Sequence, residues 1–295
     1  MSKILILSQT RFKNVKDLNL VKKFIQQSKG IKNSGDLSLI VNHQQDYFSN
    51  LTTEVISNNI LILKSNLKTL SEARNLLIDY SLKKISKFDY MFFVDDDVYV
   101  EDLINLKMKI YNAKKKFEFD FGSASILVKN KRKTFSRNCK WALDFKYPFL
   151  LNKFHHNMVL GSAIILRKEI VNNIRFDSLL GLGAKYGGSE DTDLFFQAIY
   201  NNYKCIYLPD VIVRHPEILK NQYNFSIMFK YGLGRGFVYR KFFSKDPLYM
   251  IFSYFYSTMR NFLGVIIFLL KLDFEKSIRQ LGLALGKILG FLKLI

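Results

Sequence analysis

Cysteine is nearly missing from this chain: Cys139 and Cys205 are the only two in 295 residues. Two cysteines build neither a disulfide framework nor a zinc site, so the expected compartment is a reducing one. Trp141 is the single tryptophan, and a lone tryptophan belongs to a core more often than to a binding surface. Negative charge is also in deficit, with 25 Asp and Glu against 45 Lys and Arg, for a net charge of +20. A field of that sign attracts polyanions: nucleic acid, anionic lipid or a phosphate-bearing substrate. No nucleic-acid motif accompanies it, and an acidic cluster and an apolar tail argue against that partner. A fixed-period repeat is absent too. The opening MSKILILSQTR has an apolar run too short for a signal peptide and no cleavage site, and reads as a first strand.

Apolar residues are plentiful, at 48% with 27 Phe and 16 Tyr. That is enough for a sizeable core and excludes a disordered chain. The length suits one large α/β domain, or one domain with an appendage. Ile4–Leu7, Leu37–Val41 and Asn59–Leu63 read as strands, and Leu18–Gln27 has helical spacing. Ser71–Ile85 reads as a helix with Ser71 as N-cap, and Asp102–Lys115 as another. Strands alternating with helices over the first ~115 residues indicate βαβ units and a mostly parallel sheet. From Phe119 the pattern changes. Phe121–Val128 and Met158–Leu166 are strand-like without regular crossover helices, which points to a mixed extension of the sheet. Gly181–Gly188 reads as a flexible loop before the helix Leu194–Tyr200. Lys204–Leu208 and Val211–Val213 read as strands.

The chain is organised around Phe88–Asp102, FDYMFFVDDDVYVED. An apolar strand, Met91–Val94, ends in three carboxylates, Asp95, Asp96 and Asp97. Like charges so close repel, and burying them unpaired is costly. Such a cluster is either a solvated turn or the seat of a divalent cation, with hard oxygen ligands suiting Mg²⁺ or Mn²⁺. Open α/β sheets put ligands at strand carboxyl ends, which favours the second reading.

Four segments in order resemble family 2 glycosyltransferases of the GT-A fold, over roughly Lys3 to Lys241. Ser71-Glu72-Ala73-Arg74-Asn75 is similar to the family's ARN element, Val94–Asp97 to its D-x-D strand end, and Gly187–Leu194 to its acidic ED element. Tyr207–Asp210 through His215 is similar to the strand and histidine that follow. The resemblance implies an α/β GT-A fold with a mixed central sheet over residues 1–222, with a nucleotide-binding half (1–118) and an acceptor half (119–222). It implies a metal held by Asp95, Asp97 and His215, and Arg74 near the base or phosphates, the alternative for Arg74 being an exposed arginine on a helix. Asp96, pointing to the other side of the chain in an extended run, would contact ribose or support its neighbours. A cation at this strand end would neutralise the diphosphate as the sugar departs. Asp191 would be the general base that deprotonates the acceptor hydroxyl, with Glu190 supporting the acceptor site. The alternative for this segment is that Ser189 caps the helix while Glu190, Asp191 and Asp193 complement its dipole. Two departures concern the donor. Ser8-Gln9-Thr10-Arg11 stands where the family ends its first strand in Pro-x-Tyr, with Thr10 and Arg11 the candidates for donor contact, and Asn42 stands where it has a base-reading aspartate. Asn42 can still hydrogen-bond a base edge. No Gln-x-x-Arg-Trp signature of processive synthases is present, so one sugar per encounter is expected.

Residues 223–295 form a basic, hydrophobic region. Leu248–Leu270 is long enough to cross a bilayer, which needs ~20 apolar residues. Arg260 near its middle costs about 2.5–3.5 kcal/mol on insertion scales. Tyr249, Tyr254 and Tyr256 suit the headgroup region, and Asp273–Ile295 is amphipathic with Gly282, Gly286 and Gly290 four apart. That spacing lets two helices approach closely, as in small-xxx-small packing. The expectation is a monotopic anchor on the cytoplasmic face of the membrane, in contact with anionic lipid. A buried helical layer or a homodimer interface is the alternative. The resulting expectation is a metal-dependent, inverting transferase using a nucleotide-sugar donor and a glycan or lipid-linked acceptor, in cell-surface polysaccharide or glycolipid synthesis. A non-catalytic membrane scaffold that keeps the fold, and a basic nucleic-acid-binding protein, are the competing classes.

Overall fold

The computed structural model describes residues 3–11, 37–44, 52–57, 60–85, 87–128, 131–133, 145–216 and 224–294. The helix expected over Leu18–Gln27, together with Cys139 and Trp141, lies outside the described residues. The chain divides into two compact units. One contains Met1–Lys68, Glu72–Phe176 and Leu194–Glu217; the other contains Thr69–Ser71, Asp177–Asp193 and Ile218–Ile295.

The first unit is built on a mixed sheet. Its strands are β1 (Ile4–Arg11), β2 (Leu37–Gln44), β3 (Thr52–Ser57), β4 (Ile60–Ser65), β5 (Tyr90–Asp95), β6 (Tyr99–Val100), β7 (Phe121–Val128), β8 (Lys131–Lys133), β9 (Phe149–Leu150), β10 (Ile164–Arg167) and β11 (Cys205–Arg214). The main path runs β3-β4-β2-β1-β5-β10-β7-β11-β6. β4, β2, β1 and β5 are parallel, as the strand–helix alternation predicts. β3, unforeseen in the sequence, lies antiparallel on the edge. β10 then runs antiparallel between β5 and β7, so the sheet changes direction beside the carboxyl end of β5. The continuous apolar runs of β1 and β5 follow from burial on both faces: Leu5, Leu7, Met91, Phe92 and Phe93 are fully inaccessible.

Several expected boundaries shift for identifiable reasons. Met158–Leu166 is not one strand; 3-10 turns at Lys153–Met158 and Gly161–Ala163 precede the short β10. The two strands expected after Lys204 are one, with a register shift between Leu208 and Ile212. A bulge there accommodates Pro209, which lacks the amide a ladder needs. Helix α1 covers Leu70–Lys84, which puts Ser71 inside its first turn and not at the cap. The Ser71 hydroxyl instead donates to the carbonyl of Leu180 at 2.6 Å. Helix α2 (Leu103–Phe117) is capped by Asp102, whose carboxylate accepts from the Asn105 amide. Leu106, Ile110 and Ala113 form its buried stripe. Helix α3 covers Glu190–Tyr200.

The second unit contains α4 (Phe225–Lys241), α5 (Pro247–Leu270) and α6 (Phe274–Leu292). Asn224, Asp246 and Asp273 cap them through carboxylate or amide oxygens, and Pro247 opens α5 where a missing amide costs nothing. The partner of the glycine stripe on α6 is α4 of the same chain. A β-carbon on Gly286 would stand 2.2 Å from the carbonyl oxygen of Phe229 and 3.0 Å from the Gly232 α-carbon. One on Gly236 would stand 2.1 Å from the carbonyl oxygen of Lys287. The two backbones are in direct contact, so no side-chain adjustment relieves an added methyl. Gly286→Ala is therefore expected to cost at least ~2 kcal/mol, since overpacking outweighs alanine's ~1 kcal/mol helix advantage. Gly264→Ala, whose β-carbon would meet only the flexible Gln280 side chain at 3.1 Å, serves as the control. Urea denaturation of the two variants separates the cases; equal midpoints would show that the helices are not in backbone contact.

Candidate functional site

In the first unit, strand register assembles the candidate donor side. Gln9 on β1 sits opposite Asp95 on β5 and opposite Asn42 on β2, so three adjacent carboxyl ends align. The Gln9 amide nitrogen donates to Asp95 Oδ1 at 2.8 Å. The same oxygen accepts from Arg74 Nη2 at 3.1 Å, and that nitrogen also donates to the carbonyl of Gly161 at 3.1 Å. Arg74 is 1% exposed, so the reading of it as a surface arginine on a helix is excluded. Its guanidinium also lies over the Phe176 ring, 5.1 Å from the centroid. The Asn75 side chain holds the backbone of Phe176 by donating to its carbonyl at 2.8 Å and accepting from its amide at 3.2 Å. Ala73 is fully buried. The three residues of the ARN element thus divide the work. Alanine packs, arginine clamps the carboxylate, and asparagine fixes the residue beneath the guanidinium.

Past Asp95 the chain turns, so Asp96 and Asp97 are not in an extended run. The premise that Asp96 faces away by strand alternation therefore fails; Asp96 is half-buried in the turn. Asp97 Oδ2 lies 3.9 Å from His215 Nε2, at the end of β11. The Asp97 carboxylate is 40% exposed, and partial desolvation raises its pKa, with His215 opposing the rise and Asp95 adding to it. No three His, Cys, Asp or Glu side chains form a ready-made cage among the described residues. A paired Asp97 and His215 beside Asp95 nonetheless fits an ion that binds through one or two carboxylates and takes its other ligands from substrate phosphates and water. Thr10 and Arg11 end β1 opposite His43 and Gln44, and Asn42 lies in β2 opposite Gln9 and Leu63.

In the second unit, the acidic segment is anchored to α4. Gly181–Gly188 is not a free loop. Tyr186, Gly187 and Gly188 are buried, and the Tyr186 ring stacks on Phe237 at 4.2 Å. A β-carbon on Gly187 would meet Lys230 at 2.8 Å, and one on Gly188, whose φ is +90°, would meet the Tyr231 ring at 2.6 Å. These glycines make room for α4, not for an incoming acceptor. Ser189 follows with φ of 66°, outside the extended geometry of an ordinary N-cap, so it does not cap α3 in the expected manner. Glu190 is buried beside Gly181. Asp191 is half-buried, and its Oδ1 accepts from the amide of Thr192 at 2.6 Å and the hydroxyl at 3.3 Å. Asp193 is fully buried in an ion pair with Lys241 at 2.7 Å, and Lys241 also reaches Asp177 at 2.7 Å.

No protein-family model matches the chain, and a search of curated proteins finds no match. Solved structures do match. The glycosyltransferase TarS of S. aureus, residues 1-349, aligns with a TM-score of 0.50 and 13% identity over 79% of this chain and 65% of that one. The same protein in complex with UDP-GlcNAc aligns with a TM-score of 0.50 and 14% identity, over 79% and 66%. The fold is that of a glycosyltransferase. The chain spans less than two thirds of the length of these neighbours, and at such identities it is the fold that is shared.

On this glycosyltransferase fold, two residues that sequence reasoning passed over, one in each unit, hold candidate residues of their own unit in place. Gln9, in the Ser8–Arg11 strand end, contacts Asp95 where Thr10 and Arg11 were expected to act. Its signal was a polar residue inside a buried strand. Lys241 sits in a segment that reads only as basic, and its pairing with Asp193 across 48 residues leaves no local trace. His155 and His156, which match no family element and read from sequence as surface or acceptor-side residues, are structural. His155 Nδ1 accepts from the Asn152 amide to close a 3-10 turn, and His156 is buried against Phe196. Cys205 is buried in β11, and burial pushes its thiol pKa up, with Asp120 adding to the rise.

Proposed function

We propose that the protein is a metal-dependent, inverting glycosyltransferase of the family 2 type, moving one sugar per encounter from a nucleotide-diphosphate donor to an acceptor hydroxyl. The observation that carries this reading is the buried Arg74, which with Gln9 holds Asp95 at the end of β5 while Asp97 faces His215. Orienting a strand-end carboxylate by two buried donors has no use in a solvated turn. Asp97 and His215, with Asp95, are the residues that would hold Mg²⁺ or Mn²⁺. When bound, the cation supplies Lewis-acid neutralisation of the leaving diphosphate. Arg74 keeps Asp95 oriented, and Asn42 and the strand end at Thr10 and Arg11 are assigned to the nucleoside. Asp191 takes the proton of the acceptor hydroxyl, with Glu190 beside it.

The same reading includes a membrane. α5 is long and apolar enough to cross a bilayer by length and composition, and it is inside out. Ser253, Ser257, Thr258 and Asn261 are buried, while Phe252, Phe255, Met259, Leu263, Ile266 and Leu270 are exposed. Water does not favour that arrangement, but a lipid surface does. The net charge of +20 complements anionic lipid on the cytoplasmic face. A lipid-linked acceptor for surface-glycan synthesis would be met there.

Calorimetry with UDP tests the donor side, with UDP-GlcNAc as the first sugar nucleotide tried. Binding is expected to require Mn²⁺, and Asp97→Asn is expected to weaken it at least ~10-fold, or ~1.4 kcal/mol. Equal affinity with and without the metal, in wild type and variant alike, would remove the cation from the mechanism.

A further inference from the structure

Helix α2 of the first unit has two apolar faces. Leu106, Ile110 and Ala113 are buried. On the opposite side Ile104, Met108 and Tyr111 are 81%, 59% and 59% exposed. Residues three and four apart share a helix face, so these three form one continuous stripe. Single apolar side chains on a surface are ordinary, whereas an aligned row of large ones is not. Tyr99, on β6 just ahead of the helix, is exposed as well. Lysine borders the stripe on both sides. At 3.6 residues per turn, Lys107 and Lys114 fall along one edge, and Lys109 and Lys116 towards the other. No Asp or Glu lies between Asp102 and Glu118. Lys109 pairs with Asp102 at 2.8 Å and Lys114 with Asp89 at 3.5 Å, while Lys115 and Lys116 stand exposed in the last turn.

An apolar stripe edged by lysines is complementary to an anionic lipid surface. The stripe inserts, and the ammonium groups reach out to the headgroup phosphates. A tyrosine in the row suits the headgroup level. A protein partner fits less well, because one helix stripe is small beside the ~800 Å² that each side of a stable protein interface buries. We propose that α2 lies in the surface of an anionic membrane and docks the first unit there through Ile104, Met108 and Tyr111. This goes beyond the lipid contact assigned to α5, because α2 belongs to the unit that carries the candidate donor site. The helix begins a few residues after Asp97, and Tyr99 pairs in the sheet with Arg214, next to His215. Docking through α2 thus brings the carboxyl ends of β5 and β11 towards the lipid, where a lipid-linked acceptor would present its head. That consequence alone rests on the transferase reading.

Tryptophan fluorescence of the full chain tests the contact. Met108→Trp is mixed with phosphatidylglycerol vesicles whose acyl chains are brominated, and the wild-type signal from Trp141 is subtracted. Quenching is expected at position 108 and not for Lys84→Trp, an exposed position on α1. Adding Ile104→Glu and Tyr111→Glu to Met108→Trp should abolish the quenching while the melting temperature stays close to that of wild type, since both side chains are exposed. Brominated phosphatidylcholine, which is neutral, should need at least ~10-fold more lipid for half-saturation. No quenching at position 108, or equal quenching at position 84, overturns the proposal even where the chain binds vesicles, because the contact then lies elsewhere. Equal half-saturation with the neutral lipid overturns it too, as does a dimer in light scattering that Ile104→Glu/Tyr111→Glu dissociates, which would give the stripe to a second copy. UDP calorimetry on the same variants is expected to match wild type, so the donor-site reading stands or falls separately.

Discussion

Asp191→Asn is expected to slow sugar transfer by about 10²–10⁴-fold while leaving UDP affinity and the melting temperature close to wild type. The separation follows from the surroundings of the side chain. Its Oδ1 accepts from the amide and hydroxyl of Thr192, and an asparagine oxygen can do the same. Its Oδ2 has no hydrogen bond among the described residues and is the atom left to accept a proton. What stability the carboxylate contributes is its place at the start of α3, worth about 0.3–1 kcal/mol. A large rate loss with so small a stability loss would mark a base; a helix-dipole role predicts the reverse. Transfer within threefold of wild type would end the assignment of Asp191. The measurement is a single-turnover assay with the donor found by calorimetry, run beside a thermal melt.

The legibility of this chain depended on how far a signal had to travel along it. Elements whose physics is local could be read directly: the apolar run of β5, the stripe of α2, the carboxylates ending a strand. The glycine spacing on α6 correctly announced close helix packing, because a small residue every four positions lines one helical face. Its partner could not be read, since α4 carries its own glycines at Gly232, Gly234 and Gly236 within a segment that looks merely basic. Gly234 is needed because a β-carbon there would stand 2.4 Å from the carbonyl of Gly188, 46 residues earlier. The Gly187-Gly188 pair illustrates the same limit from the other side. Glycine in sequence signals freedom of the backbone, but only the fold shows whether that freedom is used for motion or consumed by a neighbour. Arg74 was placed near the base or phosphates by resemblance, whereas its partners, Asp95 and the Gly161 carbonyl, come from β5 and the turn before β10. Contacts of that range are set by topology and leave no periodic trace.

Lys241→Met should be the most damaging single change in the second unit, at about 3–5 kcal/mol. Asp193 is fully inaccessible, and the Lys241 ammonium neutralises it at 2.7 Å while bonding Asp177 at the same distance. Methionine fills similar space but leaves a buried carboxylate facing another acid. Against a total stability of about 5–15 kcal/mol, that loss is a fifth or more. Burial works against the lysine charge, but Asp193 and then Asp177 outweigh it, so its pKa is raised. The sign of the linkage follows: this contribution is fully present below the ordinary lysine pKa and is lost as pH rises through the higher folded value. Wild-type stability from this triad should thus be flat across neutral pH and fall in strong alkali. In the variant the dependence inverts, because protonating the orphaned carboxylates relieves their repulsion, so Lys241→Met should recover stability on acidification. Adding Asp193→Leu to it should also restore much of the loss, since replacing both buried partners is far cheaper than removing one. Urea denaturation across the pH range reads all three outcomes. A variant as stable as wild type at pH 7, with no gain on acidification, would mean that Lys241 does not hold the acidic turn at Glu190–Asp193. The transfer rate of the double variant then reports whether that turn, once folded, still depends on the charge that normally fixes it.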